Sequence, residues 1–484
     1  MIFNTKEFAI FFAIVLVIYW LLAKWRPLQN FVLLGASMYF YSRLHYSFPI
    51  YLAALILVSF LFSRFIEKNE HPKPRKALLI TGICIVSAGL IYTKYSDLLF
   101  SNITGLQHWE ATALHILAPV GISFYTFAIL GYMIDVYWEK IPAEKNLLTY
   151  ATYISFFPHL LSGPIPSAAT VLPQFRSRAT VTYAGIDESI GEILWGLFKK
   201  MVVADNISMT VSYCFSQHKE LNGSTLAIGV LLFGVQLYAD FSGYSSMARG
   251  VAGLLGINLV QNFNVPFHST SITEYWRRWH ISLTNWLYGY IFNPMVYALR
   301  SWRKWAIVAS LLLTFFISSF WHGAGWQFVA WGMLHGIVMV YEYLTVELRR
   351  HLSERTPSII YNFFSWLFVV FFLALGWAFF RADNIPDALS ILHSIASPGL
   401  FATPESYVTR YLVWCIPLFV VEWIQRKGSY TMDIRQWITS EKIPPAAKKQ
   451  LIVAIKSCLY LLLCAAIYQF YKKINFAEYY YFKF

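Results

Sequence analysis

The sequence predicts an all-α protein that crosses a membrane many times. Of its 484 residues 57% are apolar or aromatic and only 13% are charged, against roughly 25% charged in a soluble domain. So few charges cannot make a water-soluble surface. Long apolar runs recur along the chain, and about 20 helical residues are enough to cross a hydrocarbon core of about 30 Å. The 18 Trp and 32 Tyr suit the aromatic belts that seat such helices at both interfaces.

The runs, in order, are Phe8–Leu22, Tyr51–Phe62, Ala77–Tyr92, Gly121–Tyr137, Leu226–Tyr238, Trp305–Phe320, Ile359–Phe380 and Leu451–Tyr468. The first invites a signal-peptide reading. No small-residue cleavage site follows it, and Lys24-Trp25-Arg26 reads as an anchoring flank, so a retained helix is favoured. The net charge of +13 invites a nucleic-acid reading. The Lys and Arg lie in short loops between apolar runs, where positive-inside anchoring explains them better.

Those loops set an orientation. Lys24 and Arg26, then Arg64–Lys76, then Lys140 and Lys145 alternate with the positive-poor stretches Tyr41–Pro49 and Tyr95–Ala113. The alternation puts the N-terminus outside and the basic loops in the cytoplasm. Arg349–Arg355 and Arg426–Lys449 then fall inside, and Asp383–Tyr407 falls outside. The last run carries the C-terminus outside.

Two stretches do not read as simple spans. Tyr150–Pro173 holds Pro158, Gly163, Pro164, Pro166 and Pro173, and Thr273–Pro294 mixes aromatics with Arg277, Arg278 and His280. Irregular backbone at membrane depth survives only where protein or a water-filled cavity covers it. Both stretches are therefore expected to be re-entrant or interfacial and to shape a cavity. With no internal repeat and no low-complexity linker, one membrane domain over residues 1–484 is the simplest organisation.

Metal and redox sites find no support. Cys84, Cys214, Cys415, Cys458 and Cys464 form no CxxC or Cys/His spacing. No phosphate loop, GxSxG elbow or HExxH helix occurs. Histidine is the remaining chemistry. His322 stands between apolar runs, where an ionisable group by default marks function, and imidazole suits general-base work near neutral pH. Gly323, Ala324 and Gly325 beside it permit close approach of substrate or backbone. A neutral histidine satisfied by one buried hydrogen bond is the bland alternative, and the residue alone leaves both open. His335, thirteen positions on, reads as structural or supporting.

Trp276, His280, Leu283 and Leu287 have the spacing of one helical face, beside an aromatic stripe of Tyr275, Trp279, Trp286 and Tyr290. Arg277 and Arg278 lie mostly off both and can reach headgroups or an anionic ligand. An interfacial amphipathic helix explains the aromatics and arginines without catalysis, but it explains His280 poorly. His159 and His268, in irregular segments, could line a cavity. Asp240 could orient a histidine or cap a helix, and capping is the commoner use.

Several ordered blocks resemble one family. Asn262-Phe263-Asn264-Val265-Pro266-Phe267, followed by Ser271-Ile272-Thr273-Glu274-Tyr275-Trp276-Arg277-Arg278-Trp279-His280-Ile281-Ser282-Leu283, is similar to the central block of the membrane-bound O-acyltransferases (MBOAT). Phe320-Trp321-His322-Gly323 and Leu334-His335-Gly336 follow in the family's order. Ser155–Pro158 with Ser162–Ile165, Asp240–Ser245 and Gly376–Arg381 add to the likeness. It lies nearest the bacterial branch that contains alginate O-acetyltransferase and the D-alanyl transferase of teichoic acids.

The resemblance implies the MBOAT fold. That is about 11 transmembrane helices plus re-entrant or interfacial helices around a central tunnel, with cytoplasmic and outer funnels meeting near His322. It implies a multi-pass enzyme of the bacterial cytoplasmic membrane. The enzyme would pass an acyl group, acetyl by preference, from a cytoplasmic thioester to a cell-envelope polysaccharide. No cofactor is bound permanently; acetyl-CoA or an acyl carrier protein is the donor. His322 and His280 would be catalytic, while Trp276, Arg277, Arg278, Trp279, Trp321, Trp326 and His335 would line the donor site. Partners would be an extracellular or periplasmic acyltransferase, the polysaccharide and membrane lipids, without nucleic acid.

The ending Tyr479-Tyr480-Tyr481-Phe482-Lys483-Phe484 resembles the aromatic hexapeptide of the small accessory protein in the teichoic-acid system, with Tyr479 in place of its first Phe. Carried over, Tyr481, in the tail 476–484, would accept the acyl group outside. A phenol with a pKa near about 10 needs a base to attack. An interfacial aromatic anchor is the alternative. At the level of the whole protein, the rivals are a transporter or flippase of a lipid-linked sugar and a non-enzymatic scaffold for polysaccharide export.

Overall fold

A computed structural model describes residues 1–104, 118–425 and 445–471. The expected loops Tyr95–Ala113 and Arg426–Lys449 fall partly outside these residues, and the tail with Tyr481 falls wholly outside. Among the described residues the regular structure is helical, as the sequence requires.

Among the described residues seven helices are long and apolar enough to cross a membrane: Phe48–Lys68, Pro72–Tyr95, Gly223–Leu254, Lys304–His322, Ser358–Arg381, Ser406–Gln425 and Gln450–Tyr471. Trp326–Leu344 and Val346–Arg355, bent by 66°, make an eighth if taken as one broken span. Lys6–Leu21, Arg26–Ser42 and Ile122–Tyr137 have 16, 17 and 16 residues, just short of a full crossing.

The described residues pack as two units. The first comprises Met1–Ser189 with Ala248–Val260. Its core is aromatic: Phe157 lies 5.5 Å from Phe11 and 5.7 Å from Phe40 between ring centroids. Arg26 also has partners within the unit. Its guanidinium donates to Tyr19 Oη and to the carbonyls of Gln174 and Phe175. The proline-rich stretch is irregular as expected. It breaks into the short helices Leu147–Ser155, Phe157–Leu160, Ala168–Val171 and Leu172–Phe175. His159 is 2% exposed, and its Nε2 bonds the Tyr153 carbonyl oxygen at 3.0 Å, a packing role rather than a cavity wall.

The second unit, Ile190–Met247 with Gln261–Lys483, holds all the described candidate site residues. Two helices form its central hairpin. The Lys304–His322 helix stops at His322, Gly323 continues in extended backbone, and a new helix starts at Trp326. The two pack closely because Gly332 has no side chain. A Cβ there would lie 2.0 Å from Ser319 Oγ and 2.8 Å from the Phe315 carbonyl oxygen.

Asp240 does not cap a helix. It lies inside the Gly223–Leu254 helix, where Lys200 Nζ donates to it at 2.7 Å and pairs with Asp205 at 2.9 Å. All three side chains are at least 97% buried. Lys199 Nζ donates to the Ser242 carbonyl oxygen and to Ser246 Oγ. Both lysines sit on a seven-residue π-helical segment, Phe198–Ala204.

Candidate active site

His322, at the turn of the hairpin, is 2% exposed. Three rings stand against its imidazole: Trp321 and Trp331 at 4.7 Å and Phe380 at 5.3 Å between centroids. Trp321 also faces His280, at 5.6 Å, so one indole lies against both candidate histidines. On the other side of His322, Trp331 touches His335 at 5.2 Å, and Trp276 closes over His335 at 5.3 Å.

His280 is positioned by a broken helix, not by the continuous face expected from its spacing. Ile272–Arg278 and Ile281–Leu287 are separate helices, and His280 between them has φ 44° and ψ 52°. A left-handed conformation costs an L-residue about 1–2 kcal/mol, so the surrounding contacts must hold it. The break places the ring 4.6 Å from Phe241 and leaves it 1% exposed. Burial pushes its pKa down to about 3, so the ring is neutral at physiological pH and offers one N–H.

The first of the two helices is clamped at its start. Ser271 Oγ accepts from the Glu274 amide, as an N-cap should. Glu342, 4% exposed, reaches over from Trp326–Leu344. It accepts from the amides of Ile272 and Thr273 and from Thr273 Oγ1 at 2.6–2.9 Å. A carboxylate at a helix N-terminus is favourable in charge as well as in hydrogen bonds.

The expected donor-site residues divide by exposure. Trp276, Trp279, Trp321 and His335 are buried, while Trp326 is 60% exposed. Arg277 is exposed. Arg278 is held by its own helix: it pairs with Glu274 at 2.9 Å and donates to the Asn264 carbonyl oxygen. Arg278 and Glu274 line a cavity of about 1060 Å³ together with Trp366 and Trp377. Among the described residues no group of His, Cys, Asp or Glu could hold a metal.

Chemically, the arrangement puts an imidazole, the side chain suited to taking a proton, next to an indole that also contacts a second, neutral imidazole. The family model described as "MBOAT, membrane-bound O-acyltransferase family" matches residues 139–382, which include all these residues. The chain belongs to the membrane-bound O-acyltransferase family. This acyltransferase is 32% identical over 411 residues to the protein named "Probable alginate O-acetylase AlgI" of Pseudomonas aeruginosa, covering 84% of this chain and 76% of that one. It is 31% identical to the peptidoglycan O-acetyltransferase of Helicobacter pylori, over 74% and 72% of the two chains. The teichoic acid D-alanyltransferase of Streptococcus thermophilus is 28% identical over 46% and 56%.

One residue that clamps the helix before His280 was missed in the sequence. Glu342 lies in the apolar run Ile337–Leu344, and an acid so placed is a marker of function.

Proposed function

We propose that this acyltransferase moves an acetyl group across the bacterial cytoplasmic membrane, from a cytoplasmic thioester to a hydroxyl on the outer side, for O-acylation of a cell-envelope polysaccharide. The placement of His322 and His280 against the same Trp321 ring carries the reading. The acetylating names of the relatives over most of their length support acetyl. Acetyl-CoA is the preferred donor, and an acyl carrier protein is the other.

His322 takes the hydroxyl proton as the oxygen attacks the thioester carbonyl. The C–O bond forms, the C–S bond breaks, and the thiolate leaves with the proton that His322 held. His280 donates its N–H to the oxyanion, and one such donor is worth about 3–4 kcal/mol. Exposed Arg277 is the better-placed cation for donor phosphates, because Arg278 is engaged by Glu274. Tyr481 is the attacking hydroxyl, and the acyl-tyrosine then serves a periplasmic or extracellular partner acyltransferase. Residues 1–484 act as one membrane domain.

The test is thiol release from acetyl-CoA by the purified full chain. His322→Ala should lower it by about 10²-fold or more, and undiminished release removes His322 from the chemistry. Mass spectrometry should find an acyl adduct on Tyr481. Equal polymer acylation by Tyr481→Phe would reject the relay while leaving His322 in place.

A further inference from the structure

The left-handed backbone at His280 has an identifiable cause. Asn262 lies on an irregular stretch of chain alongside the helix break, and it meets the break twice. Its carbonyl oxygen accepts the Ile281 amide at 2.9 Å. Its Oδ1 accepts the Ser282 amide at 3.2 Å. Two residues on, the Asn264 amide donates to the Arg278 carbonyl oxygen at 2.9 Å. The first two amides of a helix have no partner within that helix, and here one residue takes both. Asn262 is 1% exposed, and its Nδ2 donates to Ser245 Oγ at 3.3 Å. That bond ties it to the helix carrying Phe241, the ring that stands against His280.

We propose that Asn262 is the positioning residue for His280: it closes the Trp279–His280 break from the side and so fixes where the imidazole points. An apolar side chain of similar size would leave the Ser282 amide without its acceptor. The break could then relax toward the continuous helix that the spacing favours, which would rotate His280 away from Trp321. Aspartate keeps the Oδ1 acceptor, and Ser245 can turn its hydroxyl to donate to the second oxygen. The proposal rests on the reading of His280 as oxyanion donor for its catalytic consequence, though not for its geometry.

Two readouts on the full chain separate the geometry from the catalysis. The first is the rate at which diethylpyrocarbonate modifies His280, followed by peptide mass spectrometry. Asn262→Leu should raise it at least tenfold, with His322 unchanged, and Asn262→Asp should restore it. The second is acetyl-CoA turnover. Asn262→Leu should lower kcat by about 10²-fold, the effect of displacing a catalytic group by about 1 Å, with KM little changed. In a His280→Ala background it should cost nothing more, because groups that act as one unit are not additive. Unchanged modification of His280 in a folded Asn262→Leu protein overturns the proposal. So does an equal further loss of turnover in the His280→Ala background. Raised modification with full turnover upholds the positioning and rejects His280 as a donor instead.

Discussion

Phe380 packs against the proposed base, His322. Its ring lies 5.3 Å from His322, 5.1 Å from Trp331 and 5.3 Å from Phe328, so it is one wall of the box around the imidazole. A thioester beside an activated base is open to water, and excluding water is part of what such walls do. Phe380→Ala should therefore raise acetyl-CoA hydrolysis relative to transfer, by several-fold, measured as thiol released per acyl group delivered. An unchanged ratio would show that water is kept out elsewhere. Gly376, one turn earlier, is constrained from the same side: a Cβ there would lie 3.0 Å from His335 Nε2 and 3.3 Å from Trp331 Cδ1.

At the scale of elements, the helix Ile272–Arg278 has only seven residues, too few to be stable alone in water, and its end clamps stand in for length. Glu342→Gln leaves one good acceptor oxygen for three donors. Hydrogen exchange at the Ile272 and Thr273 amides should then quicken by about tenfold or more, since each such bond is worth about 1–3 kcal/mol when its buried partner is stranded. Exchange at the wild-type rate would mean that Ser271 alone holds the helix. Here sequence and structure part company. The apolar runs Trp305–Phe320 and Ile359–Phe380 appear as the helices Lys304–His322 and Ser358–Arg381, because length and hydrophobicity are local properties. The spacing of Trp276, His280, Leu283 and Leu287 is local too, and it misled. The break at His280 is bonded by Asn262 from an earlier stretch of chain, and the spacing around residue 280 does not reveal that pairing. That His322, Trp331 and His335 share one ring cluster depends on Gly323 turning the chain back, which the glycines permitted but did not dictate.

On the scale of the whole protein, stability leans on charges held away from water. Lys200→Met would leave Asp205 and Asp240 facing each other without their cation. Removing one member of a buried ion pair costs about 3–5 kcal/mol, so the variant should unfold at a clearly lower temperature in detergent than wild type. Asp240→Asn should lose less, since Asp205 still answers Lys200 at 2.9 Å. An unchanged melting temperature for Lys200→Met would mean that water reaches the cluster. The same trio has a consequence for biogenesis. Lys199 and Lys200 leave the ribosome well before Asp240 and the Ser242 carbonyl that receive them. At about 5–20 residues per second, two lysines wait a few seconds for their counterparts, while each ionised side chain resists entry into lipid by about 2.5–3.5 kcal/mol. The segment around residue 200 is thus expected to enter the bilayer together with the Gly223–Leu254 helix. A nascent chain that stalls between the two would hold back from the lipid and meet the cell's proteases first.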